Sequence, residues 1–436
     1  MQGLPMSVAI LSASSLLSAV LGLLRDRLLV SHFGAGHVLD AYFAAFRVPD
    51  FLYAVLIMGG MNSVLLPMIS RRFHEEHEEA WKFVSNLLNT LFVCVAVFAL
   101  ILFVGAPLLI GLITPGFSLE TKDLTVSLTR LMLLSPILFS LSAVFSSILQ
   151  YFHRTLAFAL APILYNLGII GGIVFLVPIF GIWGVALGVV GGAFLHFFSQ
   201  ACVAFTVGFR WKSILSFKDR NLYEMFVLAI PRTIGGGLYQ LNLVVVTALA
   251  STLGAGSLVI FNLANNIQYL PAGIAGVSFA LASFPAFSTI AARGDRKEFR
   301  AFFMKAFRAT VITVLPLAIF LFFFREEIVR ILFQAGKFQE EDAGLVASLL
   351  GVFSLGILFQ ALIPFISRAF FALSDTKTPT VIGGAAIVLN VALAIFLMQN
   401  TSLGVVSLAT SLTVSAIFQC VLLLFALNAK FSSTHE

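Results

Sequence analysis

Long apolar stretches recur along the chain, broken by short clusters of charge or by Gly and Pro, and they predict twelve helices of membrane-spanning length. Their approximate bounds are 4–31, 38–70, 81–113, 123–151, 156–177, 184–208, 221–251, 257–291, 297–324, 342–373, 379–398 and 403–429. Crossing about 30 Å of hydrocarbon takes roughly 20 residues of helix. Spans two, eight and ten exceed that, which predicts tilt, kinks or extension beyond the bilayer. The first apolar run lacks the basic residues that open a signal peptide and is read as span one.

Composition agrees with the pattern. Of 436 residues, 60% are hydrophobic and only 11% charged, with a mean hydropathy of +1.04. A soluble domain carries about 25% charged residues, so a soluble enzyme, a disordered chain and a coiled coil are all excluded. The chain is predicted to be an all-α polytopic membrane protein with no room for an extramembrane catalytic domain. Cys94, Cys202 and Cys420 lie far apart inside apolar runs, which argues against a disulfide framework or a zinc site.

The net charge of +6 reflects topology rather than nucleic-acid binding, and no nucleic-acid partner is expected. Loops after even-numbered spans, with the C-terminal tail, hold fourteen Lys and Arg: Arg71, Arg72, Lys82, Arg154, Arg210, Lys212, Lys218, Arg220, Arg293, Arg296, Lys297, Arg300, Lys377 and Lys430. Loops after odd-numbered spans hold four, Lys122, Arg325, Arg330 and Lys337. The positive-inside rule then puts both termini in the cytoplasm and the chain in the cytoplasmic membrane.

Short motifs repeat at a nearly constant offset. His32-Phe33-Gly34-Ala35-Gly36 returns as Thr252-Leu253-Gly254-Ala255-Gly256, 220 residues later. Arg154-Thr155 corresponds to Asp375-Thr376, and Gly184-Val185 to Gly404-Val405. Two six-span halves follow, residues 1–213 and 214–436. Because six is even, both enter the membrane in the same direction, which implies a pseudo-twofold along the membrane normal and a substrate site near the midplane between the halves. Chance likeness among apolar segments is the competing account.

Charge inside a span is costly and marks a cavity or a partner. Arg25-Asp26-Arg27 ends span one, and Asp40, Arg47 and Asp50 enter span two. Neighbours on a helix point about 100° apart, so Arg25 and Asp26 do not share a narrow face. A structural ion-pair network of Arg25, Asp26 and Asp40 weighs as much as substrate contact, and Arg47 is read as snorkelling or pairing with Asp50. Span seven opens Ile230-Pro231-Arg232-Thr233 and continues through Gly235-Gly236-Gly237 to Tyr239-Gln240, which predicts a broken helix with ligand-accessible backbone. Close packing on small residues is the plainer reading. Span eight carries Asn262, Asn265, Asn266 and Gln268, with Asn62 and Asn166 as lesser counterparts in the first half; interhelical hydrogen bonding is the default account. The run His74-Glu75-Glu76-His77-Glu78-Glu79 reads as a solvated helical loop rather than a metal site. No phosphate-binding loop, nucleophile elbow or HExxH motif occurs, so neither an enzyme nor a cofactor is expected.

Leu21-Gly22-Leu23-Leu24-Arg25-Asp26, then Phe33-Gly34-Ala35-Gly36, Asp40-Ala41-Tyr42-Phe43-Ala44-Ala45-Phe46 and Pro49, resemble the opening of the MurJ/MviN lipid II flippases, of the multidrug/oligosaccharidyl-lipid/polysaccharide exporter superfamily. The similarity continues through Pro231-Arg232, Tyr239-Gln240, Leu270-Pro271-Ala272-Gly273 and Ala372-Leu373-Ser374-Asp375-Thr376-Lys377-Thr378-Pro379. The resemblance implies two six-helix lobes around a central cavity. It further implies alternating access that moves an undecaprenyl-diphosphate-linked disaccharide-pentapeptide from the inner to the outer leaflet, with membrane lipids and the cell-wall synthesis machinery as partners. Arg25 would then contact the diphosphate, Asp26 and Asp40 would orient it, and Gln240, Asn265 and Asn266 would line the cavity. Arg47, Asn62 and Arg232 complete the expected substrate-binding set.

The chain departs from the family pattern where cations are usual: Ala19, Tyr53 and Asn266 occupy three of four expected arginine positions, and Met58 and Asn265 stand at acidic ones. Many members also have two further C-terminal helices beyond span twelve. A flippase for another polyprenyl-linked glycan, a cation-coupled exporter of amphipathic molecules, and a non-transporting scaffold are the rival readings. The exporter would need a buried carboxylate as its ion site.

Overall fold

In the computed structural model the apolar runs fold as α-helices. The backbone is described for residues 4–55 and 61–432, and side chains for these except residues 4–9, 61–63, 75, 221, 226, 228–239, 274, 275 and 432. Among the described residues there is no strand, and nine helices are long and apolar enough to cross a membrane. The helices are α1 (Leu4–Phe33), α2 (His37–Ala45), α3 (Arg47–Tyr53), α4 (Met61–Glu75), α5 (His77–Ile113), α6 (Leu119–Met132), α7 (Leu134–Tyr151), α8 (Thr155–Gly171) and α9 (Val177–Phe180). They continue as α10 (Ile182–Thr206), α11 (Arg220–Ser251), α12 (Ser257–Tyr269), α13 (Val277–Arg293), α14 (Arg296–Phe323), α15 (Arg325–Phe333), α16 (Glu340–Ala372), α17 (Lys377–Asn400) and α18 (Val406–Ser432).

Three details differ from the pattern read in sequence. Predicted span two is interrupted: α2 and α3 meet at Phe46, and a wide turn begins at Ala54. Predicted span seven is one continuous helix, α11, which runs through Pro231 and Gly235–Gly237. A proline costs a helix one backbone bond, and a membrane helix tolerates that where neighbours re-satisfy the freed group. The segment after span nine, read as a loop, forms α15, a short helix too charged for a hydropathy pattern to reveal.

The chain packs as two compact units, one of Met1–Leu29 with His37–Ala248 and the other of Val30–Gly36 with Leu249–Glu436. In the first unit α8 and α10 meet on glycine. A Cβ placed on Gly172 would come within 2.6 Å of the Gly188 Cα, and one on Gly188 within 2.9 Å of the Gly172 Cα. Small residues one turn apart let two backbones approach, the usual means of tight packing where lipid supplies no hydrophobic drive. The same unit buries Phe73 against Trp81, Tyr151 and Phe152, with ring centroids 4.6 to 5.2 Å away. The second unit has its own aromatic core, in which Phe287 packs on Phe299, Phe302 and Phe365. Leu100, Val104, Leu108 and Leu112 form an exposed stripe with four-residue spacing on α5, a surface suited to lipid.

The irregular stretch after α10 has its backbone satisfied by α5. Asn89 donates to the Lys212 and Ile214 carbonyls, and Asn86 both donates to the Ser216 carbonyl and accepts from its N–H. The internal repeat appears in local geometry as well. Gly34 and Gly254 both adopt positive φ, at 71° and 116°. His153 and Ser374, just before the matched pairs Arg154-Thr155 and Asp375-Thr376, are the two non-glycine residues with positive φ among those described, at 56° and 60°.

Candidate functional site

The first unit gathers the charged side chains. Arg25 donates through Nε and Nη2 to Oδ1 of Asp26, at 2.9 and 2.8 Å, and through Nη1 to Oδ1 of Asn166 at 3.4 Å. Although adjacent helical positions diverge by about 100°, the long arginine side chain curls back onto its neighbour. Asn166 is itself fixed, donating to the Ser18 hydroxyl at 3.1 Å and to the Pro162 carbonyl at 3.2 Å. The guanidinium thus joins α1 to α8. Asp26 is 1% exposed while Arg25 keeps 21%, so the cation is held in place yet reachable. Asp40 is buried in the first turn of α2.

Arg47 reaches across to α11, where its Nε donates at 2.7 Å to the Thr247 hydroxyl. Thr247 in turn donates to the Leu243 carbonyl. Gln240 also falls in this unit, partly buried on α11. The side chains of Asn62 and Arg232 lie outside the described residues.

The second unit has a neutral counterpart. Gln360 on α16 donates to Oε1 of Gln268 at 3.0 Å, and Gln268 donates to Oδ1 of Asn265 at 3.0 Å. Asn266 sits beside Asn265, partly buried, and Asn262 donates to the Leu258 carbonyl one turn back. Interhelical bonding, the plainer account of these amides, is what Gln268 and Gln360 do.

Sequence reasoning missed several polar groups. Ser142, Ser146, His196 and Gln200 form a network between α7 and α10, with Gln200 Nε2 donating to the Ser142 hydroxyl at 2.6 Å. Gln360 was missed too. A single polar residue inside an apolar run leaves no local pattern, and its partner lies 54 to 92 residues away. The one available signal was polarity at a position where lipid should be.

At the α16–α17 turn, the Asp375 carboxylate caps α17 by accepting from the Thr378 N–H at 3.0 Å and hydroxyl at 2.7 Å, and it pairs with Lys430 at 2.6 Å. Burial alone would push this carboxyl up. The Lys430 ammonium and the two Thr378 donors outweigh it and hold the carboxyl at about 2.

Helices of membrane-spanning length that bury a few charges, each bonded to a partner, define a polytopic membrane protein of the transporter class. The family model described as "Lipid II flippase MurJ" matches residues 29–436. A protein of Rhizobium meliloti named "Probable lipid II flippase MurJ" is 30% identical over 434 residues, covering 96% of this chain and 79% of that one. One of the same name from Borreliella burgdorferi is 26% identical over 407 residues, covering 93% and 80%. The solved structure "Lipid II flippase MurJ, inward closed conformation" superimposes with a TM-score of 0.82 at 28% identity, covering 96% of this chain and 87% of that one. An inward-facing MATE-family multidrug transporter reaches the same TM-score at 16% identity and shares the fold alone. The chain belongs to the lipid II flippase MurJ family.

Proposed function

We propose that the chain is a flippase, moving the lipid-linked peptidoglycan precursor lipid II from the inner to the outer leaflet by alternating access. Membership of the MurJ family carries this reading, and Arg25 gives it a chemical anchor. A diphosphate cannot cross hydrocarbon unaided, and a guanidinium presents planar paired donors that match its oxygens. Asp26 and Asn166 hold Arg25 in one orientation while leaving part of it accessible. Asp40 and Arg47 complete the polar set of the N-terminal half, with Asn62 in span two. Gln240, Asn265, Asn266 and Arg232 are assigned to sugar or peptide contact in the C-terminal half, the six-span division being residues 1–213 and 214–436. The reading places the chain in the cytoplasmic membrane with both termini in the cytoplasm, exchanging cargo with the cell-wall synthesis machinery.

Ala19, Tyr53 and Asn266 favour a second cargo, another polyprenyl-diphosphate-linked glycan. With fewer cations, affinity has to come from neutral hydrogen bonds to sugar. Complementation separates the two. Depletion of a host's essential lipid II flippase should be rescued by this gene and not by its Arg25→Ala variant. Correct membrane insertion without rescue would move the assignment to the other glycan.

A further inference from the structure

Buried and partly buried arginines of the apolar helices differ in what they hold. Arg25 donates to Asp26, Arg47 to the Thr247 hydroxyl and Arg130 of α6 to the Phe103 carbonyl at 3.1 Å. That carbonyl needs a donor, because Pro107, four residues on, has no N–H to offer it. Arg368 of α16 differs. Among the described residues no hydrogen bond or ion pair reaches its guanidinium, which lies 5.8 Å over the Phe284 ring of α13. The nearest carboxylate along the chain, Asp375, is taken by Lys430 and Thr378. Charge inside an apolar helix is costly and marks a cavity or a partner, and none of the described residues supplies the anion.

The ring covers one face of the guanidinium. The N–H groups lie in the guanidinium plane and stay available, a fork that fits a carboxylate or a phosphate with paired bonds. The surroundings decide between those two. Gln360, Pro364, Ser367 and Arg368 share the partly exposed side of α16, opposite the buried Leu362, Ile366 and Ala369. Gln360 donates to Gln268, and the Ser367 hydroxyl donates to the Ile363 carbonyl at 2.8 Å, so each keeps an oxygen able to accept. Pro364 also deprives the Gln360 carbonyl of its usual helical donor. A diphosphate carries no N–H groups for such acceptors. A peptide end carries both parts, a carboxylate for the cation and N–H groups for the oxygens beside it.

We propose that Arg368, with Gln360 and Ser367, binds the carboxylate-bearing peptide of the glycolipid cargo, the carboxylate on the guanidinium and peptide N–H groups on the flanking oxygens. The proposal rests on the lipid II reading above, in which Arg25 takes the diphosphate. Arg368 lies four residues, about 6 Å, before α16 ends at Ala372. The proposed topology turns that end to the cytoplasm, where cargo is loaded.

The test measures equilibrium binding to the purified full-length protein in phosphatidylcholine nanodiscs. The ligands are lipid II and its peptide-free counterpart, undecaprenyl-diphosphate-disaccharide, and the proteins are wild type, Arg368→Gln and Arg368→Lys. Arg368→Gln should weaken lipid II binding by at least about tenfold, the loss expected of a charge-assisted bond, and leave the peptide-free lipid within about twofold. Arg368→Lys, which keeps the charge and loses the planar fork, should fall between the two proteins. A merely structural role would weaken both ligands alike. Equal losses for the two ligands, or unchanged lipid II binding by Arg368→Gln, overturn the proposal. If Arg368→Gln does not fold, Arg368→Lys decides alone: a loss confined to lipid II supports the proposal, and equal losses or none overturn it. Wild type that binds both lipids alike overturns the peptide contact and leaves the flippase reading standing, whereas wild type that binds neither removes both.

Discussion

The two units bury polar groups of different kinds. The first ties α1 to α8 with a guanidinium, a carboxylate and an amide, whereas the second ties α12 to α16 with amides alone. Both arrangements satisfy donors that lipid could not, but they differ in what remains once they are satisfied. An Arg–Asp–Asn cluster still presents a cation; an Asn–Gln–Gln chain presents a dipole. The proposed phosphate contact therefore falls to the first unit, while the amides of the second suit hydroxyl and amide groups.

Double-mutant cycles test that contrast with the largest effect. Arg25→Met should destabilise the protein by about 3 kcal/mol, since it removes one partner of a largely buried charge pair. Its coupling to Asp26→Asn should be about 2 kcal/mol. The Gln268–Gln360 pair, replaced by leucines, should show a coupling of only about 0.6 kcal/mol, the common size for hydrogen bonds between membrane helices. Equal couplings from thermal unfolding in detergent would erase the distinction.

Helix packing gives a second contrast of intermediate size. A Cβ on Gly172 meets Gly188 and Gly184 backbone at 2.6 and 2.7 Å, whereas one on Gly356 of the second unit meets side chains, Thr413 at 3.2 Å and Gln360 at 3.4 Å. Gly172→Ala should cost about 2 kcal/mol, because backbones must separate, and Gly356→Ala under about 1 kcal/mol, because a rotamer can yield. Apparent melting temperatures of the two variants check the order.

The smallest effect concerns the Asp375 turn. Its carboxyl is held below the value of about 3.9 expected in an unfolded chain, so its stabilisation is fully present above about pH 4 and is lost as pH falls through about 2. Lys430 is 41% exposed, so solvent screens the pair. Lys430→Met should lower stability by about 1 kcal/mol at neutral pH and narrow the difference from wild type as pH falls below about 3, read from pH-dependent melting curves.

Much of the fold was legible because lipid imposes one rule throughout. Hydropathy alone found the helices α5, α10, α14 and α17 to within a few residues, and the repeated Gly34 and Gly254 turns were visible as motifs. The breaks were not. The α2–α3 junction and the continuity of α11 through Pro231 depend on which neighbours re-satisfy backbone groups, and no local pattern records that. Arg25, Asp26 and Asn265 were found because charge or amide clusters stand out in an apolar run. Arg368 drew no notice, because a cation one turn from a helix end reads as an interfacial anchor, and its lack of a counter-ion among the described residues shows only in the fold.

The central claim is that Arg25 grips a lipid-linked diphosphate, and transbilayer movement of lipid II in proteoliposomes tests it most directly. Wild-type protein should translocate the lipid. Arg25→Ala should slow movement by at least about tenfold, and Arg25→Lys, which keeps charge and loses the planar paired donors, should fall between the two. Unchanged translocation by a correctly folded Arg25→Ala protein would contradict the account.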